Sequence, residues 1–232
     1  MKKAHFVFLT TLALVATLAL GTAFAADKGG VYIGIKGGYE YRDHNKGDIT
    51  DSTANPNNQN ATNQKWSDDS GYTVGGAIGY NFAGMGLPIR AEAEYLFHDQ
   101  FKYSADNATS GGSTANFSSK IDIHTVFANF YYDIKTSTAF TPYVGAGLGV
   151  AWINQKIGSS FPRGETGNYD TTNFAWNVGA GVGYSLTDNI VLDLGYRYTS
   201  FGDAKKYESS TYTFQAKDIT SHEALLGLRY QF

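Results

Sequence analysis

The last eleven residues of the chain alternate in character, and this alternation restricts the possible folds more than any other feature of the sequence. Counting back from the end, every second residue is apolar or small: Phe232, Tyr230, Leu228, Leu226 and Ala224. Three of the five residues between them are polar or charged, namely Gln231, Arg229 and Glu223. Successive side chains of a β-strand point to opposite faces. The segment therefore predicts a strand with one face suited to lipid and the other to a wet or ion-paired interior.

The same alternation recurs in seven earlier segments. Together with the last one they predict eight strands, at residues 30–41, 72–82, 89–103, 117–134, 140–156, 173–185, 190–200 and 222–232. Short turns at 83–86, 135–139 and 187–189 alternate with longer polar connections at 42–70, 104–116, 157–172 and 201–217. No segment beyond the N-terminal region shows a helical period. This organisation favours one all-β domain.

Strands that cross a bilayer must close into a barrel, because an open sheet edge would leave unpaired backbone groups in lipid. We therefore expect an eight-stranded antiparallel up-and-down transmembrane β-barrel. Outward aromatic residues fall near the strand ends, where rings with a polar tip prefer the membrane interface. One girdle would contain Tyr80, Tyr132, Tyr184, Tyr230 and Phe232. The other would contain Tyr39, Tyr72, Tyr95, Phe97, Trp152, Trp176 and Tyr198.

The N-terminal region has the three parts of a secretory signal peptide. Lys2 and Lys3 form a basic start, residues 6–20 are almost wholly apolar, and Ala23-Phe24-Ala25 is a small-x-small cleavage site. The apolar run is shorter than the roughly 20 residues of a membrane-spanning helix. We expect a cleaved signal peptide at 1–25 and a barrel domain at 26–232. Removing the two lysines takes the formal net charge from −3 to −5, which gives no support to nucleic-acid binding.

Three strand motifs carry a family resemblance: residues 30–34 (GVYIG), 141–149 (TPYVGAGLG) and 192–198 (LDLGYRY). They resemble the opacity-type surface antigens, which belong with the OmpA-like eight-stranded barrels. The resemblance implies a surface-exposed structural or adhesive protein of the bacterial outer membrane, with extracellular loops and periplasmic termini. It also implies contact with outer-membrane lipid and lipopolysaccharide, and with host surface molecules. It names no catalytic residue, cofactor or metal ligand.

The last strand also resembles the terminal strand of outer-membrane barrels. There the final aromatic residue belongs to the signal that the barrel-assembly machinery reads. The resemblance assigns this role to Leu226, Leu228, Tyr230 and Phe232.

Charged residues recur on the inward face of the predicted strands: Lys36, Glu40, Arg90, Glu92, Glu94, Asp193, Arg197, Glu223 and Arg229. They fit either a narrow conduit for small solutes or an ion-pair network that neutralises charge in the lumen. An eight-stranded interior is just wide enough for side chains to fill. Since an unpaired buried charge is costly, we favour the filled lumen. Inward glycines, such as Gly145, Gly147 and Gly149, would make room for bulky partners across it.

An enzyme acting on lipid A is the other alternative. It would need a nucleophile, a base and an orienting carboxylate within reach of one another. The candidates are His98, His124 and His222, with Ser221 next to the last. Neighbouring residues of a strand point to opposite faces, so Ser221 and His222 cannot form a dyad by adjacency. We therefore expect no enzymatic activity.

Overall fold

A computed structural model describes residues 29–45, 50–51, 64–66, 70–110, 113–159, 167–203, 207–208, 212–214 and 217–232. The predicted signal peptide at 1–25 lies outside these residues. Eight long strands make up most of the described chain: β1 (Gly30–Asn45), β2 (Ser70–Asn81), β3 (Ile89–Ser110), β4 (Ser113–Asp133), β5 (Phe140–Ser159), β6 (Gly167–Ser185), β7 (Ile190–Gly202) and β8 (Lys217–Gln231). None of the helices found in the described segments has the length and apolarity to span a membrane.

The eight strands form a closed antiparallel barrel. Each strand pairs with its neighbours in sequence, and β8 pairs with both β7 and β1. The register of the closing pair runs from Tyr32 opposite Gln231 to Asn45 opposite Lys217, with one irregularity near the far end. Closure gives every strand two hydrogen-bonded neighbours, as a bilayer requires. The predicted fold class is therefore confirmed.

Alternation places apolar side chains on the outside of the barrel and most charged ones inside. Ile35, Leu148 and Phe174 are 68%, 61% and 66% exposed, whereas Glu40 and Glu223 inside are fully buried. An exposed apolar belt of this kind is costly in water and stable in lipid. The outer face is thus fit for contact with lipid.

The strands extend much further at one end of the barrel than at the other. At one end, short connections join β2 to β3, β4 to β5 and β6 to β7. In the first of them Asn81 caps a 3-10 helix, Phe82–Met85, by accepting a hydrogen bond from the Ala83 backbone N–H at 2.9 Å. Gly86 then reverses the chain at a φ of 78°, which favours glycine. We call this the short-turn end, and the opposite one the long-strand end.

The long-strand end contains more strand than the sequence predicts. The predicted polar connection at 104–116 is wrong, since β3 and β4 continue to Ser110 and from Ser113. The connection at 157–172 is also shorter than predicted, because β5 reaches Ser159 and β6 begins at Gly167. Polar composition misled the prediction. Two antiparallel backbones satisfy each other's hydrogen bonds in water whether or not their side chains are apolar.

The other two predicted connections, 42–70 and 201–217, also contain strand. β1 extends to Asn45 and β8 begins at Lys217. Gln64–Trp66 pairs with β3. Three further short strands form a separate small sheet: Thr50–Asp51, Tyr207–Glu208 and Tyr212–Phe214. β7 extends to Gly202, Asp203 follows it, and β2 begins at Ser70. The remaining residues of these two connections lie outside the described segments.

Candidate functional site

The lumen is filled in layers, and two bidentate ion pairs lie nearest the short-turn end. The Arg229 guanidinium donates to both oxygens of Asp193, with N–O distances of 2.5 and 3.1 Å. Arg90 donates in the same way to Asp133, through Nε at 2.7 Å and Nη2 at 2.9 Å. Paired guanidinium and carboxylate groups of this geometry are stronger than neutral hydrogen bonds. Each of the four charges is thereby neutralised inside the barrel.

Arg197 lies at the centre of the next layer and joins two strands that are far apart in sequence. Its Nη1 donates to Glu94 at 2.5 Å, while Nη2 and Nε donate to Glu223 at 2.5 and 3.0 Å. Glu223 also accepts a hydrogen bond from the Thr199 hydroxyl at 2.7 Å. Lys36 pairs with Glu94 at 2.6 Å and with Glu92. These contacts connect β1, β3, β7 and β8 across the lumen.

A third layer surrounds Glu40. Its carboxylate pairs with Arg42 and lies 2.9 Å from the Nδ1 atom of His98. The Ser221 hydroxyl donates to the same carboxylate at 3.3 Å. His98 Nε2 lies 3.2 Å from the Thr125 hydroxyl, so both ring nitrogens have a partner. The histidine is therefore held rigidly inside the barrel.

The Glu40, His98 and Thr125 arrangement has the order of a carboxylate, a base and a hydroxyl, yet all three residues are 0% exposed. No substrate reaches a hydroxyl in that position. Glu40, His98 and Glu223 also bring their ligand atoms within 4.8 Å of one another, the spacing of a metal site. However, Arg42 and Arg197 already neutralise the two carboxylates, and a cation would have to displace them.

An apolar cluster closes the lumen at the long-strand end, and the sequence pattern did not identify this feature. The cluster contains Ile121, Ile123, Phe127, Ala151, Ile153, Ala175, Phe201 and Ile219. Phe201 is fully buried and its ring meets that of His98 edge to face, with 5.0 Å between centroids. The cluster therefore lies directly over the Glu40 layer.

Glycines make room for the aromatic residues that fill the rest of the interior, as predicted. A Cβ atom at Gly145 would come within 2.3 Å of the Tyr131 ring, and one at Gly181 within 2.5 Å of the Tyr143 hydroxyl. The Tyr131 and Tyr32 hydroxyls donate to Glu92 at 3.2 and 3.0 Å. A cavity of about 40 Å³ lies among these side chains and is lined in part by these groups. It has room for a few water molecules and no more.

The nine charged residues predicted to face the lumen all lie inside the barrel. Within this set Arg197 pairs with Glu223, whereas Asp193 pairs with Arg229. The sequence pattern did not identify Asp133 and Arg42 as partners in these ion pairs. Asp133 occupies a position of β4 from which the side chain points into the barrel. Arg42 was assigned to a polar connection because the end of β1 was placed too early.

The other candidate histidines lie on the outer surface of the barrel. His124 Nδ1 is 2.8 Å from the Tyr95 hydroxyl, and His222 Nδ1 is 2.6 Å from that of Tyr196. Ser221 points inward to Glu40 and so does not contact His222. These pairs belong to the aromatic girdle. The proposed signal residues Leu226, Leu228, Tyr230 and Phe232 are all exposed on this outer face, and their role in assembly stays a prediction.

Comparison with known proteins agrees with this geometry. Residues 10–232 match the family model described as the outer membrane protein beta-barrel domain. The chain belongs to this outer-membrane β-barrel family. The outer membrane protein PagN of Salmonella typhimurium is 34% identical over 171 residues, which cover 68% of this chain and 72% of that protein. A Brucella abortus protein is 30% identical over 201 residues, covering 70% and 69% of the two chains.

Solved barrels share the fold of this outer-membrane protein. Neisserial surface protein A superimposes with a TM-score of 0.54 at 20% identity, over 88% of this chain and 97% of the other. OprG of Pseudomonas aeruginosa superimposes with a TM-score of 0.53 at 19% identity, over 88% and 98%. The resemblance to outer-membrane surface proteins made from the strand motifs is therefore confirmed, and the protein is an integral β-barrel of the bacterial outer membrane.

Proposed function

We propose that this outer-membrane barrel is a surface attachment protein whose long-strand end binds molecules outside the cell. The observation that carries the proposal is the length of β3 and β4, which have 22 and 21 residues. A tilted strand crosses a bilayer with about 9–11 residues. Roughly half of this hairpin therefore projects beyond the membrane as an ordered surface.

The filled lumen supports attachment over transport. Ion pairs span the barrel in layers, an apolar cluster closes one end, and the cavity of about 40 Å³ has room for only a few water molecules. The buried position of Glu40, His98 and Thr125 likewise gives no support to an enzyme acting on lipid A. A Rickettsia bellii protein provisionally named an adhesin is 25% identical over 193 residues, covering 76% of this chain and 82% of that protein. That name agrees with the proposal.

The proposal includes an orientation. The long-strand end faces the outside, and the short turns and both termini face the periplasm, as in other bacterial barrels of even strand number. Cleavage after residue 25 would release the barrel domain at 26–232, and the barrel-assembly machinery would insert it. Host surface molecules are the proposed partners of the projecting hairpin, and lipopolysaccharide surrounds its base. No nucleic acid, cofactor or metal takes part.

The test is to shorten the projecting hairpin. Ala105 and Phe117 are register partners, so residues 105–117 can be replaced by an Asn-Gly turn without changing the strand pairing below them. A non-adherent bacterial host would express the parent and this variant, and binding to cultured epithelial cells would be counted. We expect a folded, heat-modifiable barrel in both cases and background adhesion for the variant.

The matched control lengthens the opposite end. A Gly-Ser insertion after Thr136, in the short connection between β4 and β5, should leave adhesion at the parental level. Equal adhesion by the parent and the shortened variant, both folded in the outer membrane, would contradict the proposed function.

A further inference from the structure

We propose that a transverse row of lysines at the long-strand end binds a phosphate group of an outer-leaflet glycolipid. Lys120 of β4 and Lys156 of β5 are register partners, and both side chains are exposed. On its other side Lys120 has Lys102 of β3 as its register partner. Lysine thus occupies the same register position in three adjacent strands, and the site consists of the two described side chains, Lys120 and Lys156. Nothing in the attachment function requires this row.

The row lies on the lipid-facing side of the barrel, just beyond the aromatic girdle. Lys156 is four residues past Trp152, and Lys120 four residues before His124, which is the register partner of that tryptophan. Residues that are an even number of positions apart in a strand point to the same face, so all four side chains lie on the outer face. Four residues span roughly 13 Å along a strand, or about 10 Å along the membrane normal at a tilt near 40°. The headgroup layer is about 5–8 Å thick on each side of the hydrocarbon core. The lysine backbones therefore lie just above this layer, and their long side chains reach back down to it.

Without a bound anion, the ammonium groups of Lys120 and Lys156 repel each other. Directly opposite residues on one face have Cβ atoms about 5 Å apart, and like charges in that position destabilise the pair. Among the side chains that the structure describes, no carboxylate lies within ion-pair distance of either Lys120 or Lys156. Asp122 shares their face, but its carboxylate accepts from the Gln100 amide at 3.1 and 3.3 Å. Asp170 occupies the next row, opposite Asn154.

A phosphate held between two ammonium groups turns this repulsion into attraction. Each ammonium donates up to three hydrogen bonds and the phosphate oxygens accept them, while a phosphomonoester supplies up to two negative charges. The fixed height of the row at the headgroup layer selects a lipid-borne phosphate over an anion free in solution. The inference rests on the proposed orientation, because the long-strand end must contact the outer leaflet.

Binding is measured by native mass spectrometry of the full folded barrel in neutral detergent, titrated with bisphosphorylated lipid A or with the same lipid lacking phosphate. A barrel in a detergent micelle exposes both ends to the lipid. The result therefore does not depend on the adhesion assay or on the orientation of the barrel in the outer membrane. Each lysine near an anionic surface contributes about a factor of five in affinity. Lys120→Gln with Lys156→Gln should therefore weaken the apparent Kd for the phosphorylated lipid about 30-fold. Lys135→Gln, at the short-turn end, is the matched control and should not change it.

Lys120→Glu separates binding from folding. The substitution places opposite charges across the strand pair, so the barrel should be at least as heat-resistant as the parent while binding of the phosphorylated lipid falls. Equal Kd values for the parent and the double variant would overturn the proposal, as would equal binding of lipid A with and without phosphate. Lysine-dependent binding of soluble heparin without any lysine-dependent binding of lipid A would also overturn it, in favour of a polysaccharide site.

Discussion

Removing Arg197 should destabilise the barrel more than removing it together with Glu223. The guanidinium lies 2.5 Å from both Glu94 and Glu223. After Arg197→Met, Glu94 keeps Lys36 at 2.6 Å. Glu223 keeps the Thr199 hydroxyl, and no other described cation lies within ion-pair distance of it. The variant therefore leaves one fully buried carboxylate without a counter-charge.

The magnitude follows from the burial of this carboxylate. Breaking a buried ion pair by removing one partner costs about 3–5 kcal/mol. Arg197 lines the cavity of about 40 Å³, so water that enters the space left by its side chain would partly solvate Glu223. We therefore expect about 3 kcal/mol for Arg197→Met. Adding Glu223→Gln removes the stranded charge, and the double variant should lose about 1 kcal/mol. Glu223→Gln alone leaves Arg197 paired with Glu94 at 2.5 Å and should cost close to nothing. The coupling free energy is then about 2 kcal/mol, within the range for residues in one network.

The assay is a double-mutant cycle on urea unfolding of the barrel in lipid bilayers. A second cycle with Glu94→Gln is the internal comparison, because Glu94 retains Lys36. It should give a coupling free energy near 0.5 kcal/mol, at the low end of the range for neighbours. Additive losses in both cycles, or stronger coupling to Glu94 than to Glu223, would refute the reasoning.

Three further predictions concern the outer face, the interior glycines and assembly. Leu226→Arg, near the midplane of the bilayer, should lower the free energy of unfolding by about 2–4 kcal/mol, whereas Leu186→Arg in a short turn should lower it by at most about 1 kcal/mol. Equal losses would show that the membrane position inferred for the barrel is wrong. Gly149→Ala brings a Cβ within 2.1 Å of a backbone oxygen of β4 and should abolish the heat-modifiable band. Gly86→Ala, with open space around it, should cost about 1–2 kcal/mol. Deleting Phe232 should slow membrane insertion in a pulse-chase assay, and an unchanged rate would remove its proposed role as a signal.

Alternation made the fold predictable because it acts locally. A period of two assigns each side chain to a face, and lipid then decides which face is outward. The strand ends were less predictable. Segments 104–116 and 157–172 are polar, and polarity does not tell a solvated hairpin from a connection when two backbones satisfy each other. The bulge between His98 and Phe101 also shifts the parity that a sequence pattern assumes.

The contacts in the lumen were less predictable, because they join residues that are far apart in sequence. Parity puts Arg197 and Glu94 inside, but their contact joins residues 103 positions apart across a closed barrel. It depends on the register of every strand between them. Arg197 and Glu223 are register partners, so that pair follows once β7 and β8 are aligned. The apolar cluster around Phe201 was not predicted, because the inward residues that the sequence singled out were charged residues and glycines.

The most direct test of the account is which end of the barrel faces the outside. The chain contains no cysteine, so single-cysteine variants can be labelled without background. Ser110→Cys lies at the end of β3, and Thr136→Cys lies in the short connection between β4 and β5. On intact cells, a membrane-impermeant maleimide should label the first variant, and the second only after the outer membrane is permeabilised. Labelling of the Thr136→Cys variant alone on intact cells would contradict the orientation, and with it the proposal that the long-strand end is the attachment surface.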